Sequence, residues 1–341
     1  MVRLYTGHWD APSQTAGMVR LVTQIGYHCS HEQFSPRALL DLVRQAEQAG
    51  FACASASDHF HPWSERQGQS GFVWSWLGAA MERTSLPFRT VSAPGYRYHP
   101  AILAQAGATL GAMYPGRLWM ALGTGQRLNE AITGAPWPQK QERQALLEEC
   151  VAVMRALWAG ETVTHLGRVT VQEAKLYTRP EQPPLVIGAA TTARTARWLG
   201  RWADGMITLA GGPVEQLREI IDAFREGGGA DKPVLAQAKL AWGPDEASMR
   251  QDAFRQWGTN LVQGQVVWEI PTPAQFDEVA ALLGPENLDR SVRVSADLLQ
   301  HATWLNEYAE CGVDELILHN VGSNQADFIE AFGAEVLPQL R

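Results

Sequence analysis

The sequence has 341 residues and a formal net charge of −8 at pH 7, from 28 basic and 36 acidic side chains. An acidic chain without a run of basic residues has no general attraction for nucleic acid or for anionic lipid, so we expect neither as a partner. No apolar run approaches the roughly 20 residues of a membrane span and no signal peptide is recognisable, so we expect a cytoplasmic protein. The length fits a single β/α barrel or about two smaller domains.

The four cysteines are scattered along the chain, without the CxxC or Cys/His spacing of a metal site. Neither a disulfide framework nor a zinc site is indicated, and we expect no bound metal. Reduced and mostly buried thiols are expected at Cys29, Cys53, Cys150 and Cys311.

Short apolar runs and helical patterns alternate along the chain after an N-terminal stretch without usable periodicity. We treat residues 1–17 as an N-terminal extension and residues 18–341 as one domain. Runs with the length and composition of buried strands are predicted at 21–25, 51–56, 88–93, 118–122, 185–190, 205–209, 233–242 and 314–318. Helical patterns separate most of these runs, and a small β excursion is predicted within 160–177.

The regular alternation breaks between residues 243 and 298. Two helical segments, near 246–257 and 273–283, stand where one crossover helix would suffice, so we predict an insertion before the last strand. Eight strands joined by helices, without the Gly-x-Gly-x-x-Gly start of a doubly wound sheet, predict a (β/α)8 TIM barrel. In such a barrel the C-terminal ends of all strands lie at one end, where active sites are found.

Polar and glycine-rich segments follow three of the predicted strands. Asp58 and His59 follow the second strand, and they indicate either a functional site or a solvated loop with a capping aspartate. Residues 123–125 follow the fourth strand, where glycine permits close approach of a ligand but also suits an ordinary turn. Thr191 and Thr192 follow the fifth, where a helix N-terminus either binds an anion or is simply capped by threonine.

Tryptophan is frequent, with 13 residues. Most are expected in the core, but Trp63, Trp74 and Trp76 fall near Asp58 in the sequence. We expect these three to wall a pocket for a flat ligand.

These segments together resemble the bacterial luciferase-like superfamily of flavin-dependent and deazaflavin-dependent oxidoreductases. The resemblance lies in Ser57-Asp58-His59-Phe60-x-Pro62-Trp63, in Gly123-Thr124-Gly125-x-x-Leu128-Asn129-Glu130 and in the helix entry at Ala189-Ala190. It extends from about Gly26 to the C-terminus. Within the superfamily the chain is similar to the deazaflavin-dependent glucose-6-phosphate dehydrogenases, particularly to a subgroup that has returned to FMN. The resemblance implies the luciferase-like form of the TIM barrel.

The resemblance also implies which residues meet the cofactor. Asp58 and His59 would meet its ring, with Asp58 orienting either His59 or the ring, and Trp63 would line the substrate face. Contacts to the ring, the ribityl chain or the phosphate are implied for Thr124, Gly125, Asn129, Ala190, Thr191 and Thr192. A non-proline cis peptide behind the ring would correspond to Thr90-Val91.

Two positions depart from the dehydrogenase pattern. Gln126 stands where the dehydrogenases have a glutamate that transfers a proton, and Gly212 stands where they have a lysine that binds the sugar phosphate. A glutamine amide cannot act as a general acid or base, although it can orient a substrate through hydrogen bonds. Glucose 6-phosphate is therefore not expected as the substrate.

The function that follows is a flavin-dependent oxidoreductase, either a monooxygenase or a dehydrogenase, with FMN as the expected cofactor and a small organic molecule as the substrate. His59 is the expected proton donor or charge stabiliser, because imidazole titrates near neutrality. Without an NAD(P)H-binding fingerprint, reduced flavin would come from a partner reductase, and the relatives imply a homodimer. Two alternatives are a dehydrogenase that uses the deazaflavin coenzyme F420 and a flavin-binding protein without turnover.

Overall fold

A computed structural model of the chain describes residues 23–262 and 264–340, so the predicted extension over residues 1–17 lies outside the described residues. The strands are β1 (Gln24–Cys29), β2 (Cys53–Ser57), β3 (Phe88–Ser92), β4 (Leu118–Leu122), β5 (Val163–Leu166), β6 (Thr170–Ala174), β7 (Leu185–Ala189), β8 (Gly205–Ala210), β9 (Val234–Ala241), β10 (Arg293–Val294) and β11 (Glu315–Asn320). The helices are α1 (Pro36–Gln48), α2 (Val73–Arg83), α3 (Pro100–Met113), α4 (Arg127–Glu130), α5 (Lys140–Ala159), α6 (Ala193–Gly200), α7 (Val214–Phe224), α8 (Glu246–Trp257), α9 (Pro273–Ala280), α10 (Leu298–Ala309) and α11 (Gln325–Ala331).

Eight parallel strands close into a barrel in the order β1, β2, β3, β4, β7, β8, β9 and β11, and β11 pairs again with β1. Helices connect successive barrel strands, which confirms the predicted TIM barrel. The short β10 extends the edge of β9, and β5 and β6 form a separate antiparallel hairpin within the predicted excursion. None of the described helices combines the length and apolar composition needed to cross a lipid bilayer.

All eight predicted strands are present, but the first was placed too early. β1 runs over Gln24–Cys29, whereas the predicted run covers residues 21–25. Gly26 faces the barrel interior, where a Cβ would lie 2.6 Å from Sγ of Cys53. The glycine therefore serves close packing between β1 and β2.

Local signals set the helix ends where the sequence predicts them. Ser35 accepts a hydrogen bond from the backbone N–H of Ala38 at the start of α1, and Pro36 occupies the first helical position. After α1, Gly50 has φ +96°, the left-handed conformation that favours glycine. The four cysteines are buried and form no disulfide, as predicted.

The barrel interior is filled in layers. Its middle layer is a cluster of aliphatic side chains, namely Ala121, Ile187, Ile207, Leu235 and Ile317. Below it, near the N-terminal strand ends, Arg89 forms a two-bond ion pair with Glu315, with Nε–Oε2 and Nη2–Oε1 distances of 2.8 and 2.6 Å. The Trp119 ring lies 3.9 Å from the guanidinium carbon of Arg89. Among the described residues these layers fill the lower part of the barrel, so a ligand site is expected at its upper end.

Residues 243–298, the predicted insertion, contain α8, α9 and three short 3₁₀ turns. Their apolar side chains form a second cluster, which includes Phe276 and Leu288 and also takes in Trp63 and Leu128 from the loops after β2 and β4. The segment therefore packs over the upper end of the barrel and supports the predicted site.

We predict that the Arg89–Glu315 pair is essential for stability. Glu315→Gln should lower the free energy of unfolding by about 3 kcal/mol or more, because it leaves a buried guanidinium without its counter-charge. Asp41→Asn is the control, since it breaks the partly exposed pair between Asp41 and Arg83 and should cost less than about 1 kcal/mol. Urea unfolding of both variants measures the difference, and equal losses would contradict the prediction.

Candidate active site

The mouth of the barrel, defined as the C-terminal strand ends and the loops that follow them, has an apolar floor. Leu209 lies two residues above the inner-layer residue Ile207 on β8, so it points the same way, yet it is 42% exposed. Val91 pairs in register with inner-layer residue Ala121 and is 38% exposed. Inward-facing apolar side chains that are accessible in this way leave room for a flat ligand above them.

His59 stands at this mouth and contacts a buried carboxylate. Its Nδ1 lies 2.5 Å from Oε1 of Glu32, which follows β1 and is 2% exposed. The His59 side chain is 16% exposed, so part of the ring is accessible from the mouth. The imidazole is thus held at Nδ1 by Glu32 and is partly accessible to a ligand.

Glu32 is held as a carboxylate despite its burial. Burial on its own would raise the pKa of Glu32, but the charge of His59 and hydrogen bonds from His59 and Ser57 outweigh it and hold the pKa well below its ordinary value. Oε2 of Glu32 accepts from Ser57 Oγ at 2.6 Å and from Ser30 Oγ at 2.9 Å. Glu32 is not among the predicted site residues, because β1 was placed too early and its predicted end lies several residues before Glu32.

Asn129 ties the loop after β4 to the loop that holds His59. Its Oδ1 accepts from the backbone N–H groups of Phe60 at 2.9 Å and His61 at 3.1 Å. Its Nδ2 donates to Oε1 of Gln126 at 3.0 Å. Asn129 therefore fixes the backbone next to His59 and orients the Gln126 amide, while its predicted cofactor contact stays a prediction.

Of the three tryptophans expected around the pocket, only Trp63 lies beside His59. The two rings are 5.1 Å apart and nearly perpendicular, and Trp63 also packs on Phe276 at 5.4 Å. Trp74 and Trp76 are buried in the main core on α2, and their predicted place in a pocket wall stays a prediction.

Asp58 belongs to a buried network and does not hold the His59 ring. Its carboxylate accepts from Ser92 Oγ at 2.5 Å and from Tyr98 Oη at 2.8 Å. It also pairs with Arg97 Nη1 at 3.2 Å, and Arg97 Nη2 donates to the Asp58 carbonyl oxygen at 2.8 Å. The expectation that Asp58 orients His59 is therefore wrong, because another carboxylate takes that place. Contact between Asp58 and a cofactor ring stays a prediction.

Glu130 is a second carboxylate beside Arg97. The Arg97 backbone N–H donates to its Oε2 at 3.2 Å, and Arg97 Nε lies 3.8 Å from its Oε1. Burial raises the pKa of Glu130 to about 7, although the charge of Arg97 opposes this, and the charge of Asp58 adds to the rise. Glu130 therefore exchanges a proton near neutral pH, a property that depends on burial and has no sequence signal.

A polar layer in the upper barrel was not anticipated either. The rings of His28 and His319 lie 4.4 Å apart, and Nζ of Lys239 lies 5.2 Å from the Trp257 ring centre. Burial lowers the pKa of His28 to about 4 and that of Lys239 to about 8, and the charge of Glu32 opposes both shifts. In the sequence, such a layer is recognisable from polar residues at alternate positions of strands that are otherwise apolar.

The Thr90-Val91 segment departs from one expectation. The described residues contain no cis peptide bond, so the predicted cis bond at this position is wrong. The Thr90 side chain is fully buried, whereas Val91 reaches the mouth. Contacts of these two residues with a cofactor stay predictions.

Gly125 is required by the packing of the protein itself. Its φ is +76°, and a Cβ there would lie 2.8 Å from Cγ of Glu130 and 3.3 Å from Cβ of Ala93. Thr124 and Gly125 are both half-buried at the mouth. The ordinary-turn interpretation therefore suffices to explain Gly125. The predicted contacts of Thr124 and Gly125 with a cofactor stay predictions.

The loop after β7 ends in a helix N-terminus at the same mouth. Thr192 caps α6, because its Oγ1 accepts from the backbone N–H of Thr195 at 3.3 Å. Thr191 and Thr192 are exposed, whereas Ala190 is 3% exposed. The capping interpretation is confirmed, and anion binding at these three residues stays a prediction.

Comparison with known proteins gives consistent matches. A family model described as luciferase-like monooxygenase matches residues 17–315. An F420-dependent glucose-6-phosphate dehydrogenase of Beutenbergia cavernae is 36% identical over 328 residues, covering 93% of this chain and 97% of that protein. One from Microbacterium testaceum is 36% identical over 329 residues, with coverages of 93% and 97%. The structure of an F420-dependent secondary alcohol dehydrogenase in complex with an F420-acetone adduct aligns with a TM-score of 0.87 and 30% identity, covering 94% of this chain and 100% of that one.

We predict that Glu130 makes stability depend on pH between its ordinary pKa of 4.5 and its folded pKa of about 7. A raised pKa in the folded state means that the folded protein binds this proton more tightly than the unfolded chain does. The contribution of Glu130 to the free energy of unfolding is therefore complete below pH 4.5 and is lost as the pH rises through 7. Relative to Glu130→Gln, the wild type should lose at most about 3 kcal/mol over this range.

Urea unfolding at several pH values measures this loss. Glu226→Gln is the control, since it removes an exposed carboxylate that pairs with Arg197 and should give a difference from wild type that hardly changes with pH. Parallel pH curves for the wild type and Glu130→Gln would contradict the prediction.

Proposed function

We propose that this chain, which belongs to the luciferase-like monooxygenase family, is an F420-dependent dehydrogenase that oxidises an unphosphorylated alcohol. That it is an oxidoreductase follows from the family and from the relatives, which are dehydrogenases by name. The finer proposal rests chiefly on one observation, the partly exposed imidazole of His59, whose Nδ1 is paired with Glu32. Two relatives with 36% identity and a structure with 30% identity carry the F420 coenzyme in their names.

The mouth suits a flat ring with a polar side chain. Val91 and Leu209 provide an accessible apolar floor, and the edge of the site is polar at His59. The exposed Thr191 and Thr192 stand at the N-terminus of α6, where backbone N–H groups lack partners within the helix and favour an anion. These residues would hold the ring and phosphate of the coenzyme, which supplies hydride acceptance when bound.

His59 and Glu32 are suited to manage the proton of the reaction. Oxidation of an alcohol to a ketone or aldehyde removes a hydride from carbon and a proton from oxygen. Nε2 of His59 would take the hydroxyl proton, and the carboxylate of Glu32, 2.5 Å from Nδ1, would stabilise the resulting imidazolium. Trp63 packs against the His59 ring and limits the positions that a substrate can take.

Gly212 stands where the resemblance implies a phosphate-binding lysine in the dehydrogenases, and the guanidinium beside it is bound to the protein itself. The carbonyl oxygen of Gly212 accepts from Arg293 Nη2 at 2.8 Å and from Tyr308 Oη at 3.1 Å. Arg293 is thus committed to the backbone and to Tyr308, whose hydroxyl accepts from its Nε at 2.8 Å. An alcohol without a phosphate group fits these surroundings better than a sugar phosphate does.

Titration of the purified protein with F420, FMN and FAD tests the cofactor. We expect F420 to bind at least about tenfold more tightly than FMN, a difference of about 1.4 kcal/mol. Alcohols offered with bound F420 should then be oxidised, which is followed by loss of the coenzyme's visible absorbance. Tight FMN binding without F420 binding would contradict the proposal.

Substitution of His59 tests its role. His59→Ala should lower turnover by about 10²-fold, the usual contribution of a positioned acid or base, and leave coenzyme affinity within a few-fold. His61→Ala is the matched control, because that neighbouring imidazole bonds to the Leu128 carbonyl oxygen through Nδ1 and should leave turnover nearly unchanged. Equal turnover of the wild type and His59→Ala would remove His59 from the mechanism.

The second candidate is an FMN-dependent monooxygenase supplied by a reductase, and Gln126 favours it. The Gln126 amide, which accepts a hydrogen bond from Asn129, cannot act as an acid or base. A reaction that needs no second acid or base is compatible with an amide at this position. Substrate-dependent oxygen uptake by protein loaded with reduced FMN would support this candidate, whereas we expect none.

A flavin-binding protein without turnover would bind a cofactor and oxidise no alcohol. The homodimer and the reductase partner stay predictions.

A further inference from the structure

A second group of charged side chains lies beside the loop after β7. Nζ of Lys140, the first residue of α5, donates to Thr195 Oγ1 at 3.0 Å, and Thr195 lies in the first turn of α6. Arg194, in the same turn, is exposed. An ammonium and a guanidinium thus stand beside a helix N-terminus that already has positive potential.

Arg143 adds a buried cation one turn further along α5. Its side chain is 5% exposed, and its Nε has no hydrogen-bond partner among the described residues. Nη1 donates to the Pro138 carbonyl oxygen at 2.7 Å, and the carboxylate that pairs with it in the described structure is that of Glu269 at 3.6 Å, which is half-exposed. A guanidinium so deeply buried needs more compensation than one distant carboxylate provides.

Two neutral donors beside Arg143 also lack acceptors. The Trp137 ring lies 4.3 Å from the guanidinium carbon of Arg143 and 5.4 Å from the Tyr96 ring. The indole N–H of Trp137 and the hydroxyl of Tyr96 are buried without a partner in the described residues. Three buried donor groups around the Trp137 ring thus lack the acceptors that buried donors normally have.

This cluster lies next to the predicted cofactor loops. Cη2 of Trp137 is 3.4 Å from the position of a Cβ on Gly125, in the loop after β4. Lys140 reaches the N-cap of α6 through Thr195, whose Oγ1 accepts from Thr192 Oγ1 at 3.0 Å. Burial lowers the pKa of Lys140, and the positive charges of Arg143 and Arg194 lower it further, which a bound anion would reverse.

We propose that Lys140, Arg143 and Arg194 form a cationic subsite for a carboxylate that the coenzyme carries beyond its phosphate. The inference rests on the proposed function, because F420 continues past its phosphate into a lactyl and glutamyl tail with several carboxylates, whereas FMN ends at the phosphate. The buried Arg143 fixes the inner end of the subsite, and Lys140 and Arg194 present charge at the accessible edge.

Binding measurements on Lys140→Gln/Arg194→Gln test the subsite. Fluorescence titration would use two ligands, F420 with its glutamyl tail and deazariboflavin 5′-phosphate, which has the phosphate alone. We expect the double variant to bind F420 about tenfold more weakly and the phosphate ligand within about twofold of wild type. Raised salt should weaken F420 binding to the wild type more than to the variant.

Arg197→Gln is the matched control, since it removes an arginine from the same helix that pairs with Glu226 and should leave both affinities unchanged. An equal loss for the two ligands in the double variant would mean contact with the phosphate alone and would overturn the subsite. Unchanged F420 affinity would overturn it while leaving the proposed function intact. If the wild type bound neither deazaflavin, the proposed function would fail and the subsite with it.

Discussion

Closure of the parallel barrel is the constraint on which the site depends. β9 pairs with both β8 and β11, and β11 pairs with β1, so the eight strands form a continuous ring. Because the strands are parallel, their C-terminal ends share one rim, and loops separated by more than a hundred positions in the chain meet there. The Arg89–Glu315 pair and the aliphatic layer above it fill the lower barrel, which leaves the upper end as the place where a ligand has room.

Two buried carboxylates at this rim have different partners and therefore different consequences. Glu32 is paired with the partly exposed imidazole of His59, so its charge acts on a side chain that lies at the mouth. Asp58 is paired with the buried guanidinium of Arg97 and has hydroxyl donors on its oxygens, so its charge is used within the protein. In our proposal the first arrangement serves proton transfer, whereas the second holds the loop after β2 in place.

The reaction class depends on how the remaining polar groups are used. Asn129 joins the backbone beside His59 to the amide of Gln126, so the chain keeps a positioned hydrogen-bonding group where the dehydrogenases have a carboxyl group. With an amide at this point, His59 is the proton-exchanging side chain at the mouth in our proposal. The insertion then matters as a packing element, because its Phe276 supports Trp63 and thereby the position of the imidazole.

The sequence alone determined the eight-stranded barrel, most helix limits and the loops at which the site lies, because hydrophobic periodicity, caps and glycine stops are local properties. It placed His59, Trp63 and Asn129 at the rim for the same reason. The pairing of Glu32 with His59, the commitment of Asp58 to Arg97 and the burial of Trp74 and Trp76 were decided by the tertiary structure. These depend on which strands become neighbours and on how deeply a side chain is buried, and neither the pairing of distant charges nor their desolvation is encoded in a local pattern.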